Sequence, residues 1–286
     1  MNSTLKSLLG LALLASVPTL AAADATDAPY LRDRGPGMRT SMFGSYVEHK
    51  QLLIYPFYEF YYDNNQQYSP DEYGGTATTD YEAHYRAHEG ILFASYGITD
   101  RLNIEMEAAV LTATFTKDPT DTYGTPAKIK ESGLGDVEGQ VTYRWMKEGE
   151  HRPELYSFFE AVIPHSKDKI LIGTEDWEFA FATGGARGFS FGTVLASIGL
   201  EYLRGTPTPW DLGEWELGYL RRLNPAWRVY AGIEGAATDE VSLITEAQRK
   251  LTRYATLKLN LGVGLTSNTT DLAPEVGVMF GLPTGR

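Results

Sequence analysis

Taking every second residue from Gly135 separates Gly135, Val137, Gly139, Val141, Tyr143 and Trp145 from Asp136, Glu138, Gln140, Thr142 and Arg144. One face of this predicted strand is wholly apolar and the other is dense with charge. Soluble antiparallel sheets also alternate, but they turn the polar face to water and bury the apolar one against a second layer. Repetition separates the two readings. The pattern recurs along nearly the whole chain with aromatic residues at the strand ends. It predicts an all-β fold, a transmembrane antiparallel up-and-down β-barrel of about twelve strands.

The first strand is expected near 51–63, with Leu52, Ile54, Tyr58, Phe60 and Tyr62 outward and Glu59 and Asp63 on the other face. In the second, from Tyr81, the lumen face is assigned to Glu82, His84, Arg86 and His88, and the outer face to Tyr81, Ala83, Tyr85 and Ala87. Glu89 breaks that alternation, so a bulge at Gly90 is expected to reset the phase. The third strand points Leu102, Ile104, Met106, Ala108 and Val110 outward and Asn103, Glu105 and Glu107 inward. Later strands are expected near 154–163, 177–186, 193–203, 210–221, 227–237, 241–248 and 275–282, with a clean eleventh one carrying Leu257, Leu259, Leu261, Val263 and Leu265 against Lys258 and Asn260.

Long connections follow the first, third and fifth strands, and short turns follow the second, fourth, sixth and eighth. Outer-membrane barrels have long outer loops and short periplasmic turns, and an even strand count returns both termini to the periplasm. Trp145 and Trp227 then fall at periplasmic ends and Trp177 and Trp210 at outer ends, as two interfacial girdles.

The N-terminus changes the picture. Lys6, an apolar run from Leu8 to Val17 and the small residues Ala21, Ala22 and Ala23 read as a signal peptide over 1–23, cut after Ala23. Residues 24–50, with Arg32, Arg34, Arg39 and Gly35-Pro36, are expected to be a periplasmic lead-in that could tuck into the barrel mouth. The barrel is expected over 51–282 and a short tail over 283–286. Mean hydropathy is −0.26, like a soluble protein, as expected when only alternate residues meet lipid. Past the leader, no run approaches the ~18 apolar residues that a membrane helix requires. Cysteine is absent, so strand pairing must hold the fold. The net charge of −12 argues against nucleic acid or anionic phosphates as partners. Outer-membrane lipids, the barrel-assembly machinery and a small solute are the expected partners.

The expected lumen-lining residues are Glu82, His84, Arg86, Glu105, Glu107, Asp136, Glu138, Arg144, Glu214, Glu216, Arg228, Glu234 and Lys258. Glu154, Glu160, Glu178, Glu201 and Glu275 join them as inward carboxylates. Eight strands leave room only for side chains and sixteen leave a channel. Twelve lies between, so a hydrogen-bonded plug and a narrow path both remain open. In a path, surplus carboxylates favour cations or neutral solutes. Glu105, Glu107, Asp136 and Glu138 should crowd together, with Arg86 and Arg144 as their counter-charges.

No catalytic residue, cofactor or metal is expected. Four residues of strand put His84 and His88 roughly 13 Å apart, too far for one metal ion. Gly133-Leu134-Gly135 opens a strand, which a dinucleotide fingerprint does not, and His165-Ser166, adjacent on a loop, makes no triad. Ile170-Leu171-Ile172 in the loop after the fifth strand either packs on the barrel wall or lines a way in for an apolar solute.

The segments Tyr96-Gly97-Ile98-Thr99-Asp100-Arg101-Leu102 and Ser132-Gly133-Leu134-Gly135-Asp136-Val137 resemble the outer-membrane proteins of the MetA-pathway of phenol degradation family. Gly264-Leu265-Thr266 and the Asn224-Pro225-Ala226-Trp227 turn are similar in kind, and the likeness runs over about 43–282. It implies an outer-membrane barrel that passes small, often aromatic, molecules and carries no catalytic residues. Barrel proteins usually end on an aromatic residue, whereas this chain runs past Phe280 to Arg286, so Phe280 or Leu282 would have to serve. The expected function is a channel or transporter for passive uptake. The alternatives are a non-conducting structural or adhesive barrel and an outer-membrane lipid hydrolase.

Overall fold

The structure, a computed structural model, describes residues 28–165, 168–204, 209–236 and 240–285. The signal-peptide assignment to 1–23 therefore lies outside the described residues, as does Arg286. A two-stranded hairpin, β1 (Met38–Arg39) and β2 (Tyr46–Val47), comes first. The wall follows as β3 (Gln51–Tyr68), β4 (Tyr81–Gly97), β5 (Leu102–Thr116), β6 (Lys128–Met146), β7 (Glu154–Ile163) and β8 (Glu178–Phe189). It continues through β9 (Gly192–Leu203), β10 (Trp210–Arg222), β11 (Trp227–Gly235), β12 (Val241–Lys250), β13 (Ala255–Gly264) and β14 (Leu272–Pro283). Each strand pairs antiparallel with its sequence neighbour, and β14 pairs with β3, so β3 to β14 close a twelve-stranded barrel without an edge.

A belt of apolar side chains covers the outside. Val110 is 64% exposed and Met106 57%, with Leu92, Phe181, Ile198, Leu200 and Leu217 also exposed around the wall. A contiguous apolar surface of this extent needs an apolar solvent. Aromatic rims bound it: Tyr143 and Trp145 stack edge-on near the short turns, and Tyr202 and Trp210 do so near the loops.

The wall is uneven in height. β3 to β6 are longer than β7 to β14 and rise beyond the belt on the side of the loops 69–80 and 117–127. Their alternation has a different meaning there. On β4 the register with β3 and β5 runs without interruption through Glu89 and Gly90, so the expected bulge at Gly90 is absent. Ala83 and Ala87 are buried inside, whereas Glu82, His84, Arg86 and His88 face out. The assignment of Glu82, His84 and Arg86 to the lumen is thereby corrected. The reason is the partner of the other face: Tyr81 and Ala83 pack inside with Tyr68, Tyr73 and Phe115. Ala87 packs with Leu111, Ala113 and Ile172. Above the belt the outside is water, so the polar face belongs there.

Of the register shifts in the wall, the one that resets the phase near this height lies on β6. Ala108 pairs with Val137 and Val110 with Leu134, so Gly135 and Asp136 together oppose Ala109. This shifts the phase of β6 by one residue. Lys128, Lys130, Ser132 and Leu134 face out above it, and Val137, Gly139, Val141 and Tyr143 below it. Gly135, read from spacing as outward, is buried inside against Leu111.

Candidate functional site: a carboxylate-lined chamber

The N-terminal segment, with Asp33, Arg34, Met38, Thr40, Ser45 and Val47 nearly inaccessible, fills the barrel at the short-turn end. Charge holds it. Arg34 donates to Glu148 (3.0 and 3.2 Å) and to Glu154 (3.0 Å), and Arg144 donates to the same Glu154 oxygen at 2.8 Å. Arg39 donates to the Tyr156 hydroxyl (2.7 Å) and pairs with Glu216. Ser41 gives its backbone N–H (2.9 Å) and hydroxyl (2.7 Å) to Glu105. Lys258 donates to the Phe43 carbonyl and Ser45 hydroxyl, both at 3.0 Å, and pairs with Glu246 at 2.9 Å. A buried charge is tolerated when it is paired and hydrogen-bonded, which is why these charges can sit in the barrel. Gly188 gives the segment room, since a Cβ there would come within 1.7 Å of the Tyr30 carbonyl oxygen.

Above this segment lies a chamber of about 860 Å³. Arg39 to Phe43 form its floor, and Leu171, Ile172 and Asn268 to Thr270 reach its upper part. The loop carrying Leu171 and Ile172 folds into the barrel mouth. Its Ile170 and Leu171 N–H groups donate to Glu131 (3.2 and 2.8 Å), and the His165 and Thr174 N–H groups to Asp136 (2.8 and 2.7 Å). Of the two readings for this aliphatic run, the wall contact holds for Leu171 and Ile172, while Ile170 stays exposed.

The chamber wall is acidic. Glu275 pairs across with Glu59, and Glu59 with Glu89, so three carboxylates stand side by side on β14, β3 and β4. Glu107 faces Glu138 across β5 and β6, and Glu216 faces Glu234 across β10 and β11. Directly opposed residues in an antiparallel pair have Cβ atoms roughly 4.5–5.5 Å apart. Glu160, Glu201 and Glu214 line the remaining arc. Arg39 and Lys258 are the cations of the lining, and both are engaged by carboxylates at the floor.

The sequence-based set thus divides in three. Glu107, Asp136, Glu138, Glu214, Glu216, Glu234 and Lys258 line the chamber. Glu105 and Arg144 point inward but are covered by the N-terminal segment, and Arg228 pairs with the inward Gln248 near the short turns. Glu82, His84 and Arg86 are outside. The expected counter-charges therefore do not meet the crowded carboxylates, because Arg86 faces away and Arg144 is bound to Glu154. Glu89 was missed because its strand was read in the wrong phase. The roles of Arg34 and Arg39 were missed because a lead-in without periodicity gives no face to assign.

A closed antiparallel barrel with an apolar belt and a polar interior defines the class of transmembrane β-barrels. Among solved structures, the chain is similar to the COG4313 outer membrane channel from Pseudomonas putida F1 at a TM-score of 0.60 and 13% identity, over 82% of this chain and 97% of that one. It is also similar to the KdgM porin in complex with disordered oligogalacturonate, at 0.50 and 9%, over 80% and 99%. A third is the translocator domain of the autotransporter NalP from Neisseria meningitidis, at 0.50 and 10%, over 81% and 88%. These likenesses are of fold. No protein-family model matches the chain, and no curated protein matches it.

Proposed function

We propose that this protein is an outer-membrane channel for passive uptake of small molecules, with cations and neutral solutes preferred over anions. The observation that carries the reading is the chamber itself, whose lining carboxylates outnumber its two cations, Arg39 and Lys258, both already paired at the floor. Like charges gathered in a confined lumen raise the local concentration of counter-ions, and acidic rings favour cations. The fold shared with a channel and a porin supports the same reading. In this reading the end with the short turns and both barrel termini faces the periplasm, and the leader is removed after Ala23 on export. The resemblance to the MetA-pathway proteins extends the solutes to small aromatic molecules. Transport is proposed in place of catalysis, and the lipids of the outer membrane surround the belt.

Reversal potential in a salt gradient across a planar bilayer tests this. The wild type is expected to select cations, and replacing Glu107, Glu138 and Glu160 by Gln should weaken that preference while keeping side-chain volume. An anion-selective wild type, or a triple variant with unchanged selectivity, would falsify the acidic-path reading. Discrete conductance absent from the wild type would favour a structural or adhesive barrel, and turnover in a lipid-hydrolysis assay would favour the hydrolase.

A further inference from the structure

The outward face of β4, β5 and β6 above the belt is unlike the rest of the protein. Counting upward, Gly90, Val110 and Leu134 form the last apolar row, followed by His88–Thr112–Ser132, Arg86–Thr114–Lys130 and His84–Thr116–Lys128. Successive rows are two residues apart, or about 6.6 Å along a strand, and neighbouring strands are about 4.8 Å apart. Arg86 and Lys130 thus stand roughly 10 Å from each other and Lys128 within about 7 Å of Lys130. His84, Arg86, Lys128 and Lys130 are all exposed. The Arg86 guanidinium lies over the Tyr62 ring at 5.1 Å, which fixes its position on the face. One row lower, the Tyr58 hydroxyl and His88 ring are 2.6 Å apart, marking the aromatic level where the belt ends. Among the described residues no carboxylate pairs with Arg86, Lys128 or Lys130. Glu82 is the sole carboxylate of β4 on this face. In a chain of net charge −12, three unpaired cations on β4 and β6, the strands either side of β5, call for an anionic partner.

We propose that this face docks the phosphorylated saccharide headgroup of an outer-leaflet glycolipid, with Arg86, Lys128 and Lys130 on its phosphates and its acyl chains against the belt below. Arginine and lysine are the side chains suited to phosphate, and basic clusters beside an apolar surface recognise anionic lipid headgroups. The position decides the source. A ligand whose phosphates are held two or three rows above an apolar wall can also lay apolar chains on that wall, which free phosphate lacks. The docking threonines Thr114 and Thr116, between the cations, offer hydroxyls to the same headgroup. This inference rests on the membrane orientation proposed above.

The test is native mass spectrometry of the full-length mature barrel in detergent, titrated with bisphosphorylated lipid A, with the same lipid stripped of phosphate, and with inorganic phosphate as competitor. A one-to-one adduct with bisphosphorylated lipid A is expected. Arg86→Gln, Lys128→Gln and Lys130→Gln combined should weaken it about 100-fold, from roughly fivefold per cation. Arg249→Gln with Arg253→Gln, two bases of the opposite rim, should leave it unchanged. Equal binding by the triple variant, equal binding of the phosphate-free lipid, or displacement by inorganic phosphate would each overturn the assignment. Insertion into phosphatidylcholine vesicles, followed by protease protection, separates the two levels. A barrel that inserts but shows no phosphate-dependent adduct loses only this inference, whereas one that does not insert loses the membrane reading with it.

Discussion

Below the row Gly90–Val110–Leu134, β5 and β6 are apolar outside and polar inside, while β4 is apolar outside and buries Ile91 and Phe93 inside against Tyr55 and Phe57. Above that row the same three strands carry Arg86, Lys128 and Lys130 outside and Ala87, Ala113 and Phe115 inside. The lower zone is built like a membrane barrel and the upper one like a soluble sheet with one buried face. β4 makes the change without altering its backbone phase, by changing the residue types on its outer face, while its inner face stays largely apolar from Ala83 to Phe93. β6 makes it with a bulge at Gly135 and Asp136. Alternation along a strand therefore shows that the two faces meet different surroundings. Which face turns inward depends on what lies on each side at that height.

The interior of the lower zone offers the strongest way to break this comparison. Glu154 is fully buried and holds both Arg34 and Arg144. Glu154→Ala strips Arg144 of its carboxylate and leaves Arg34 with Glu148 alone, and is expected to cost about 3–5 kcal/mol. The cost should appear as a lower urea midpoint for the barrel in vesicles, monitored by tryptophan fluorescence. A loss below about 1 kcal/mol, the range of exposed pairs, would mean that the N-terminal segment is not docked there.

The exterior gives a smaller and more discriminating effect. Met106 sits mid-belt on β5 and Thr114 sits on the same strand in the upper zone. Met106→Arg should destabilise by about 2–4 kcal/mol and Thr114→Arg by less than about 1 kcal/mol. Equal costs in the same unfolding assay would place both residues in one environment and abolish the boundary between the zones.

The smallest expected effect is at the short-turn rim. Lys147 donates to Asp100 at 2.7 Å, and this hydrogen bond holds the Asp100 carboxyl below its ordinary range, with the Lys147 charge adding to the effect. A lowered folded-state value means that the contribution is present above the unfolded-state value, near pH 4. It is lost as pH falls through the lower folded-state value. Both side chains are about half exposed, so solvent screening keeps the contribution within a few tenths of a kcal/mol. Lys147→Ala should leave unfolding near neutral pH almost unchanged and flatten a slight acid dependence below about pH 4. A large effect at neutral pH would show that this turn bears more of the barrel's stability than its exposure allows.

Local chemistry along the chain determined the strand count, the antiparallel order and the inward residues of β5, β9 to β11 and β13, because in the belt oil lies outside and a period of two has one solution. It also determined that carboxylates such as Glu107, Glu138, Glu214 and Glu234 share an interior. Three things were decided only by the closed barrel. The height at which lipid gives way to water reversed the meaning of Glu82, His84 and Arg86. The loop with Leu171 and Ile172 supplied an apolar partner inside, so Ala87 and Leu111 could turn toward it. Arg34, Arg39 and Ser41 acquired their partners, Glu148, Glu154, Glu216 and Glu105, from strands far away in sequence, and an ion pair between distant residues has no local signature. A strand's own sequence records that its two sides differ, and the solvent or side chains on each side exist only once the barrel has closed.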